Sequence, residues 1–398
     1  LAVTGDDGMV YSYTVSFNGD FPYEAGKVYN SELTFGGIED GYGTAAIFDN
    51  DVIGNTWNQS DNKGSTKDNP YLIESVGHLK YLIEQVEAGK TYVDKFFKLT
   101  TDIKVTADTW TPIGISSAKP FSGNFDGGGH TISGELKGSF SNDLKYFGFF
   151  GYLTTTSSML IENIHIAANV TWSFASPEGT STSYFGVGGV IGNGSTQKIT
   201  VHNCTMSGEM KISNGSLGYG NLYIGGIIGY TTGTFKNCSA IGKINVSCKG
   251  QMVMIGGIVG GNYSTTNETK HCISTSSITL SNTEHSNTNY AISVGGIGGD
   301  IGGKILGCCN QGSITGHSLS SVDVGGIAGF AELAKCHLNR NLTTDFSVTS
   351  GETVRLGYLI GLLKNSTVYS CNESVGEQSQ WIGSNPAWTP TIDDESAH

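Results

Sequence analysis

The sequence predicts an all-β solenoid, in which short strands stack coil upon coil around one elongated core. The main observation is a glycine-rich phrase whose first glycine recurs at positions 188, 225, 256, 295, 325 and 357, in steps of 37, 31, 39, 30 and 32 residues. Such self-similarity is typical of solenoids, whose units bury their apolar sides only against their neighbours. The copies are Val187–Gly192, Ile224–Gly229, Ile255–Gly260, Val294–Gly299, Val324–Gly329 and Leu356–Gly361, after a looser forerunner at Phe147–Gly151.

Composition is the second observation, and it excludes several functions. Charged residues make up 14% of the chain, against roughly 25% in an average soluble domain, and glycine supplies 58 of 398 residues. A net charge of −13, with Arg340 and Arg355 as the two arginines, argues against nucleic acid, which requires basic stripes. No apolar run approaches the roughly 18 residues of a membrane span.

The first 35 residues are predicted to form β-structure. Val10–Phe17 alternates apolar and polar side chains, Asn18–Asp20 makes a turn, and Lys27–Phe35 forms a second strand. The stretch YSYTVSFNGDFPYEAGKVYNSELTF resembles the closing strands of fimbrillin-like domains in Bacteroidetes surface proteins. The resemblance implies that residues 1–35 are a hairpin-like remnant of a β-sandwich domain that begins upstream of Leu1. Residues 36–69, rich in Gly, Asp, Asn and Ser, are predicted to be a linker.

One α-helix is predicted, over Ser75–Gly89. Ser75 is a suitable N-cap and Gly89 a suitable end. We expect the helix to cover the open end of the first coil, whose unpaired edge would otherwise recruit other chains. Its apolar stripe consists of Val76, Leu79, Leu82, Ile83 and Val86.

The glycine phrase predicts a bend inside each coil. Val324 and Ile327 are three residues apart, so a straight strand would point them to opposite faces. We predict a bend or bulge at the glycine pair that turns both side chains inward. Glycine within a strand costs roughly 0.5–1 kcal/mol, whereas each buried aliphatic side chain contributes about 1.5–3 kcal/mol. We further expect the aliphatic residues after the glycine pairs to be vertical neighbours in the core, namely Ile227, Ile258, Ile297 and Ile327.

Cysteines recur once per unit, after the last glycine of each phrase. This placement predicts a ladder of buried free thiols. Disulfides between adjacent rungs are the alternative, since a rung spacing of about 4.8 Å is close to bridging distances. The absence of a CxxC pair argues against a metal cluster. The predicted ladder comprises Cys204, Cys238, Cys272, Cys308, Cys336 and Cys371.

The chain from Pro70 to Cys371 resembles bacterial surface proteins that carry GLUG repeats. NPYLIES, the helix, KLTTDIKV, WTPIG, FSGNFDGGGHTI, FGFFG and IENIHI follow in the family's order, and the IGGIIG-type phrases match the GLUG motif itself. The resemblance implies a right-handed parallel β-helix, preceded by one capping helix, on secreted or surface-anchored and commonly adhesive proteins. Some relatives join this region to a metallopeptidase that cleaves immunoglobulin A, but this chain has no HExxH sequence. We therefore expect a cap with first coils over 70–147, repeats over 148–375 and a C-terminal cap with tail over 376–398.

No catalytic residue, cofactor or metal site is predicted. Glycoside hydrolysis requires two carboxylates about 5 to 9.5 Å apart, and the acidic residues of the repeats occupy no matching places in neighbouring units. Asp126–His130 contains a single carboxylate, so a tight turn is expected there rather than a calcium or phosphate loop. The scattered acidic residues are Asp300, Asp323, Glu332, Asp345 and Glu352.

Aromatic residues in or beside polar loops are the candidate ligand contacts, because flat rings suit amphipathic ligands such as sugars. The expected function is adhesion to a host or microbial surface glycan or protein, by an extracellular, monomeric protein at the bacterial outer membrane or secreted from the cell. The alternatives are a polysaccharide-active lyase or glycoside hydrolase and a passive stalk. The candidate residues are Trp172, Tyr184, Tyr219, Tyr223, Tyr263 and Tyr290.

Overall fold

A computed structural model describes residues 2–4, 10–12, 63–105, 110–139, 144–174, 184–214, 221–249, 252–264, 266–283, 292–332, 334–337, 339–364, 367–368, 372–374 and 378–384. The chain divides into two compact units, residues 1–48 and 49–398. In the first unit, Ala2–Thr4 pairs antiparallel with Val10–Ser12. The remainder of the predicted strand Val10–Phe17, the predicted strand Lys27–Phe35 and most of the 36–69 linker lie outside the described residues.

The second unit is a parallel β-helix, as predicted. Each full coil contributes five short strands, which we assign to sheets A to E in their order along a coil. Every strand pairs in parallel with the equivalent strand of the next coil, as Met159 does with Ile199. Sheets B and C join through Thr131–Ser139, a strand long enough to belong to both. The single-turn 3₁₀ helix Gln378–Gln380 follows the last strand.

The strands of the five sheets have the following bounds. Sheet A contains Tyr71–Ile73, Phe96–Leu99, Asn124–Asp126, Met159–Glu162, Ile199–His202, Thr234–Lys236, Glu268–Lys270, Lys304–Leu306, Lys335–His337 and Thr367–Val368. Sheet B contains Ile103–Val105, His165–Ile166, Thr205–Met206, Ser239–Ala240, Ile273–Ser274, Cys309–Asn310, Arg340–Asn341 and Glu373–Ser374. Sheet C contains Asn169–Phe174, Met210–Asn214, Lys243–Cys248, Ser277–Asn282, Ile314–Ser318 and Phe346–Ser350.

Sheets D and E carry the glycine phrase. Sheet D contains Tyr146–Phe147, Tyr184–Gly188, Asn221–Gly225, Val253–Gly256, Ile292–Gly295, Val322–Gly325 and Val354–Gly357. Sheet E contains Phe150–Leu153, Ile191–Gly194, Ile228–Thr231, Val259–Asn262, Gly298–Ile301, Ala328–Glu332 and Ile360–Lys364.

Helix α1 spans Val76–Glu87, close to the predicted bounds. The Ser75 hydroxyl accepts a hydrogen bond from the His78 backbone N–H at 3.2 Å, as an N-cap should. Gly89 has a φ of 96°, a left-handed conformation that favours glycine just past a helix end. The predicted stripe packs into the core directly after the first strand of sheet A, with Leu79 and Leu82 fully buried.

The predicted bend in the glycine phrase is confirmed. In the fifth copy, sheet D ends at Gly325 and sheet E begins at Ala328, so Gly326 and Ile327 form the bend. Val324 and Ile327 are both buried, at 0% and 1% exposure. The aliphatic residues after the glycine pairs are also vertical neighbours, because backbone hydrogen bonds join Ile227 to Ile258 at 3.0 Å, Ile258 to Ile297 at 2.9 Å and Ile297 to Ile327 at 3.1 Å.

A side chain added at each of the three glycines of a phrase would clash with different neighbouring atoms. A Cβ on Gly225, the first glycine, would lie 2.1 Å from the carbonyl oxygen of Ile228 across the bend. A Cβ on the second, Gly226, would lie 2.2 Å from the Gly257 carbonyl oxygen of the next coil and 2.8 Å from the Ala240 side chain in sheet B. A Cβ on the third, Gly229, would lie 2.4 Å from the Val187 nitrogen of the preceding coil. The phrase therefore allows two stretches of backbone to approach without side chains between them.

The thiol ladder is confirmed for four of its six predicted members. Cys204, Cys238, Cys272 and Cys308 are buried and free, one above another at the corner between sheets A and B. Their sulfurs hydrogen-bond to nearby backbone carbonyls, as Cys238 Sγ does to Val201 O at 3.8 Å. These thiols are therefore not joined as disulfides.

Cys336 is buried and free as predicted, but the prediction that it stacks above Cys308 is wrong, and Cys371 lies outside the described residues. Cys336 pairs with Ile305 inside sheet A, whereas the rung above Cys308 is occupied by Asn339. Cys336 follows Gly329 by seven residues, and this shorter spacing brings it to an interior position of sheet A, three residues before the corner position that Asn339 occupies. The ladder then continues as asparagine, since the Asn339 backbone N–H donates to Asn372 Oδ1 at 2.8 Å.

We expect Asn339→Ala to lower the free energy of unfolding by about 2–4 kcal/mol, because buried polar groups that lose a partner cost about 1–3 kcal/mol each. Asn339 is fully buried. It accepts from the Cys308 N–H at 2.9 Å and donates to the Ile305 carbonyl at 2.9 Å. Urea denaturation measures the change, with Cys272→Ala as the matched ladder variant, expected to cost only about 1 kcal/mol. Equal losses in the two variants would contradict a hydrogen-bonding role for Asn339.

Candidate ligand-binding surface

A group of tyrosines lies on the outer side of sheets D and E. Two of them come from sheet D strands, one from a sheet E strand, and one directly follows a sheet E strand. Alternation along each strand turns these rings away from the aliphatic core, and parallel stacking brings successive coils into contact. We call this group the tyrosine cluster; its members are Tyr184, Tyr223, Tyr230 and Tyr263.

The rings of the tyrosine cluster are in mutual contact. Centroid distances are 6.0 Å between Tyr184 and Tyr230 and 5.7 Å between Tyr230 and Tyr263, with interplanar angles of 26° and 33°. Tyr223 packs against Tyr230 at 5.0 Å and meets Tyr263 edge-on at 5.9 Å. Tyr184 is 54% exposed and Tyr263 is 40% exposed, whereas Tyr223 is buried. The cluster is therefore a packed aromatic surface in which Tyr184 and Tyr263 are exposed and Tyr223 is buried.

A buried carboxylate lies at the C-terminal end of the cluster. The Tyr223 hydroxyl donates to the Tyr263 oxygen at 3.3 Å, and the Tyr263 hydroxyl donates to Asp300 Oδ2. Asp300 is only 6% exposed. Burial raises the pKa of Asp300 to about 7, the Tyr263 hydrogen bond opposes this shift, and the charges of Glu332 and Asp323 add to it. Burial, followed by the charge of Asp300, raises the pKa of Tyr263 well above its ordinary value.

The two neighbouring acids each have a cationic partner. Asp323 is buried and forms an ion pair with Arg355 Nε. Burial raises the pKa of Asp323, and the Arg355 partner limits that rise. Glu332 forms an ion pair with Lys364 at 2.8 Å.

The structure brings together three of the six predicted contact residues, Tyr184, Tyr223 and Tyr263. Trp172 must be removed from the set, because it is fully buried and its ring packs against Phe147 at 4.5 Å. Its place in Asn169–Phe174, where alternation turns it inward, explains the error. Tyr219 and Tyr290 lie outside the described residues.

Sequence reasoning missed Tyr230 and the role of Asp300, although a signal for both existed. Tyr230 and Asp300 each directly follow the last glycine of a phrase, at Gly229 and Gly299. That position faces outward in sheet E, in one column with Gly261 and Phe330. Aligning the phrases would therefore have placed both residues on the same face.

A second group of charges lies on the outer side of sheet A. Asp126 and Glu162 are neighbours in register on adjacent strands. Glu162 forms an ion pair with Lys67 at 2.7 Å, and Asp126 Oδ1 accepts from Asn163 at 2.9 Å and from the Gly128 backbone N–H at 2.8 Å. The last of these bonds closes the tight turn predicted at Asp126–His130.

Two features are absent from the described ranges. Within them, no cluster of three or more histidine, cysteine, aspartate or glutamate side chains is arranged to hold a metal ion. No helix among them has the length and apolar character needed to cross a bilayer.

The fold and its repeat define a parallel β-helix that carries a GLUG motif. The family described as "The GLUG motif" matches residues 220–245, about one coil of the helix. A protein of Evansella cellulosilytica named "Putative Gly-rich membrane protein" is 33% identical over 110 residues, which are 26% of this chain and 12% of that protein. This chain therefore corresponds to a small part of the curated relative.

A solved structure shares the architecture. The crystal structure of "a putative immunoglobulin A1 protease from Bacteroides ovatus" superimposes with a TM-score of 0.53 and 23% identity, covering 72% of this chain and 79% of that one. At this identity the similarity establishes the fold alone.

Proposed function

We propose that this protein is a non-enzymatic bacterial surface protein, anchored or secreted, that adheres to a host or microbial glycan or protein through the tyrosine cluster. The observation that carries the proposal is the contiguous set of rings on sheets D and E, with Tyr184 and Tyr263 exposed. Tyrosine offers a large apolar face and a hydrogen-bonding hydroxyl at low entropic cost, which is why it is enriched at recognition surfaces. The GLUG motif, in the family resemblance above, supports placement at the cell surface.

The contacts of Asp126 and Glu162 argue against catalysis by this pair of carboxylates. Asp126 and Glu162 are an acidic pair in register on adjacent strands, but Lys67 forms an ion pair with Glu162 and Asn163 donates a hydrogen bond to Asp126. A hydrolase needs one carboxyl free to protonate the leaving group and the other free to attack or to activate water. Their contacts therefore support a structural role for this pair.

We expect Tyr184→Ala and Tyr263→Ala each to weaken adherence about 10-fold, since truncation of a central aromatic contact costs roughly 1–2 kcal/mol. The readouts are adherence of cells displaying the chain and binding of the purified chain to a glycan array. Ile241→Ala is the control, because this side chain is 56% exposed but adjoins sheet B. Full adherence by both tyrosine variants, or an equal loss in the isoleucine variant, would exclude the tyrosine cluster as the contact surface.

A further inference from the structure

The end of the tyrosine cluster has a charge that the described chain does not balance. Asp300 Oδ2 accepts the Tyr263 hydroxyl, and Oδ1 has no hydrogen bond to any described residue. Among the described residues, Asp323 is paired with Arg355 and Glu332 with Lys364, but Asp300 has no cationic partner. A buried carboxylate of this kind is costly unless a cation is supplied.

The free acceptor is suited to a compact cation. An arginine fork or a vicinal diol would engage both carboxylate oxygens, and one of these is already occupied by Tyr263. A lysine ammonium is a point charge on a flexible stem, and it can approach a single oxygen while resting beside an aromatic ring. A metal ion is less suited, because the described residues contain no group of three metal-ligating side chains.

The packing of the rings favours a polypeptide over a sugar. Tyr184 and Tyr230 are stacked at an interplanar angle of 26°, and Tyr230 and Tyr263 are tilted at 33°, so the three rings form one contiguous aromatic surface. Tyrosine-rich surfaces are typical of protein interfaces, and a neutral sugar carries no cation for Asp300.

We propose that Asp300 and Tyr263 form a subsite for a lysine side chain of a polypeptide partner. This inference rests on the proposed function, since it names the chemistry that the adhesive surface would recognise. The ammonium would lie against Asp300 Oδ1 and the Tyr263 ring, and the rest of the partner would extend along the tyrosine cluster toward Tyr184.

The test is binding of a short oligolysine peptide to the full chain, measured by calorimetry at about pH 8, where Asp300 is ionised. Its Nε-acetylated counterpart has the same backbone without the charges. We expect Asp300→Asn, and separately acetylation of the peptide, to weaken binding about 10-fold or more. Glu84→Gln on helix α1 is the control, because it removes one exposed negative charge away from the cluster.

Several outcomes would overturn the subsite. These are unchanged binding by Asp300→Asn, an equal loss in Glu84→Gln, and equal binding of the acetylated peptide. Tighter, Asp300-dependent binding of a glucosamine oligomer would instead assign the site to an amino sugar. Loss of adherence in the tyrosine variants without any lysine binding would overturn the subsite but keep the adhesive function. If lysine binding depends on Asp300 while the tyrosine variants adhere fully, the subsite would stand and the adhesive function would be overturned.

Discussion

Gly229→Ala is expected to lower the free energy of unfolding by at least about 3 kcal/mol, an effect as large as those of severe core substitutions. The added Cβ would lie 2.4 Å from the Val187 nitrogen, 2.7 Å from the Gly186 carbonyl carbon and 2.7 Å from the Gly192 oxygen. All three are backbone atoms in the rungs of a neighbouring coil. They can give way only if sheets D and E separate, which would break the ladder of hydrogen bonds on both sides.

The matched control is Gly302→Ala, a buried glycine directly after a sheet E strand. Its Cβ would meet nothing closer than 3.4 Å, an ordinary van der Waals contact. We expect a change of less than about 1 kcal/mol there. Urea titrations followed by circular dichroism measure both variants. Similar stability of Gly229→Ala and the parent chain would mean that the two backbones are not in contact at this glycine.

The same contacts explain why the fold could be predicted from sequence. Each glycine of the phrase is needed at one fixed point of a coil, so the phrase recurs wherever a coil recurs. The buried Val324 and Ile327 flank that point in one copy, and equivalent aliphatic residues flank it in the others. A local steric requirement therefore appears in the sequence as a long-range period.

The thiol ladder was less predictable because its register is not fixed by the phrase. Between sheets E and A the number of residues varies, so counting from the last glycine does not identify the rung. A better marker is the corner residue before each ladder position, which has a left-handed backbone at Asn163, Asn203, Asn237 and His271, with φ between 51° and 55°. Asparagine tolerates this conformation better than most residues. The coil of Cys336 has no such marker in its sequence, because Leu338 precedes Asn339.

The candidate site was only half predictable for a related reason. Exposed aromatic residues near loops could be recognised singly, but contact between Tyr263 and Asp300 spans 37 residues and depends on the coil register. Trp172 was predicted to contact a ligand but is buried, because a shift of one residue along a strand moves a side chain from the surface to the core.

Asp300→Asn is expected to stabilise the chain by about 2–4 kcal/mol at pH 8 and by almost nothing at pH 4. The pKa of Asp300 is raised from 3.8 to about 7 on folding, so between these values the folded state holds a proton that the unfolded state has released. Stability contributed by the neutral carboxyl is therefore present in full below about pH 4 and is lost as the pH rises toward 7. A rise in the pKa of Asp300 from 3.8 to about 7 corresponds to at most about 4 kcal/mol.

The groups that face Asp300 support this sign. Tyr223 and Tyr263 face it as neutral hydroxyls, Glu332 and Asp323 add negative charge, and Arg355 is engaged by Asp323. An asparagine would keep an acceptor for Tyr263 and remove the buried charge. Thermal unfolding of both chains from pH 4 to 8 measures the difference, with Glu84→Gln expected to follow the parent curve. A gain that is the same at pH 4 and pH 8 would exclude Asp300 ionisation as its cause. If Asp300→Asn raises stability only at high pH and also weakens lysine binding, then ionised Asp300 lowers the stability of the chain but is needed to bind lysine.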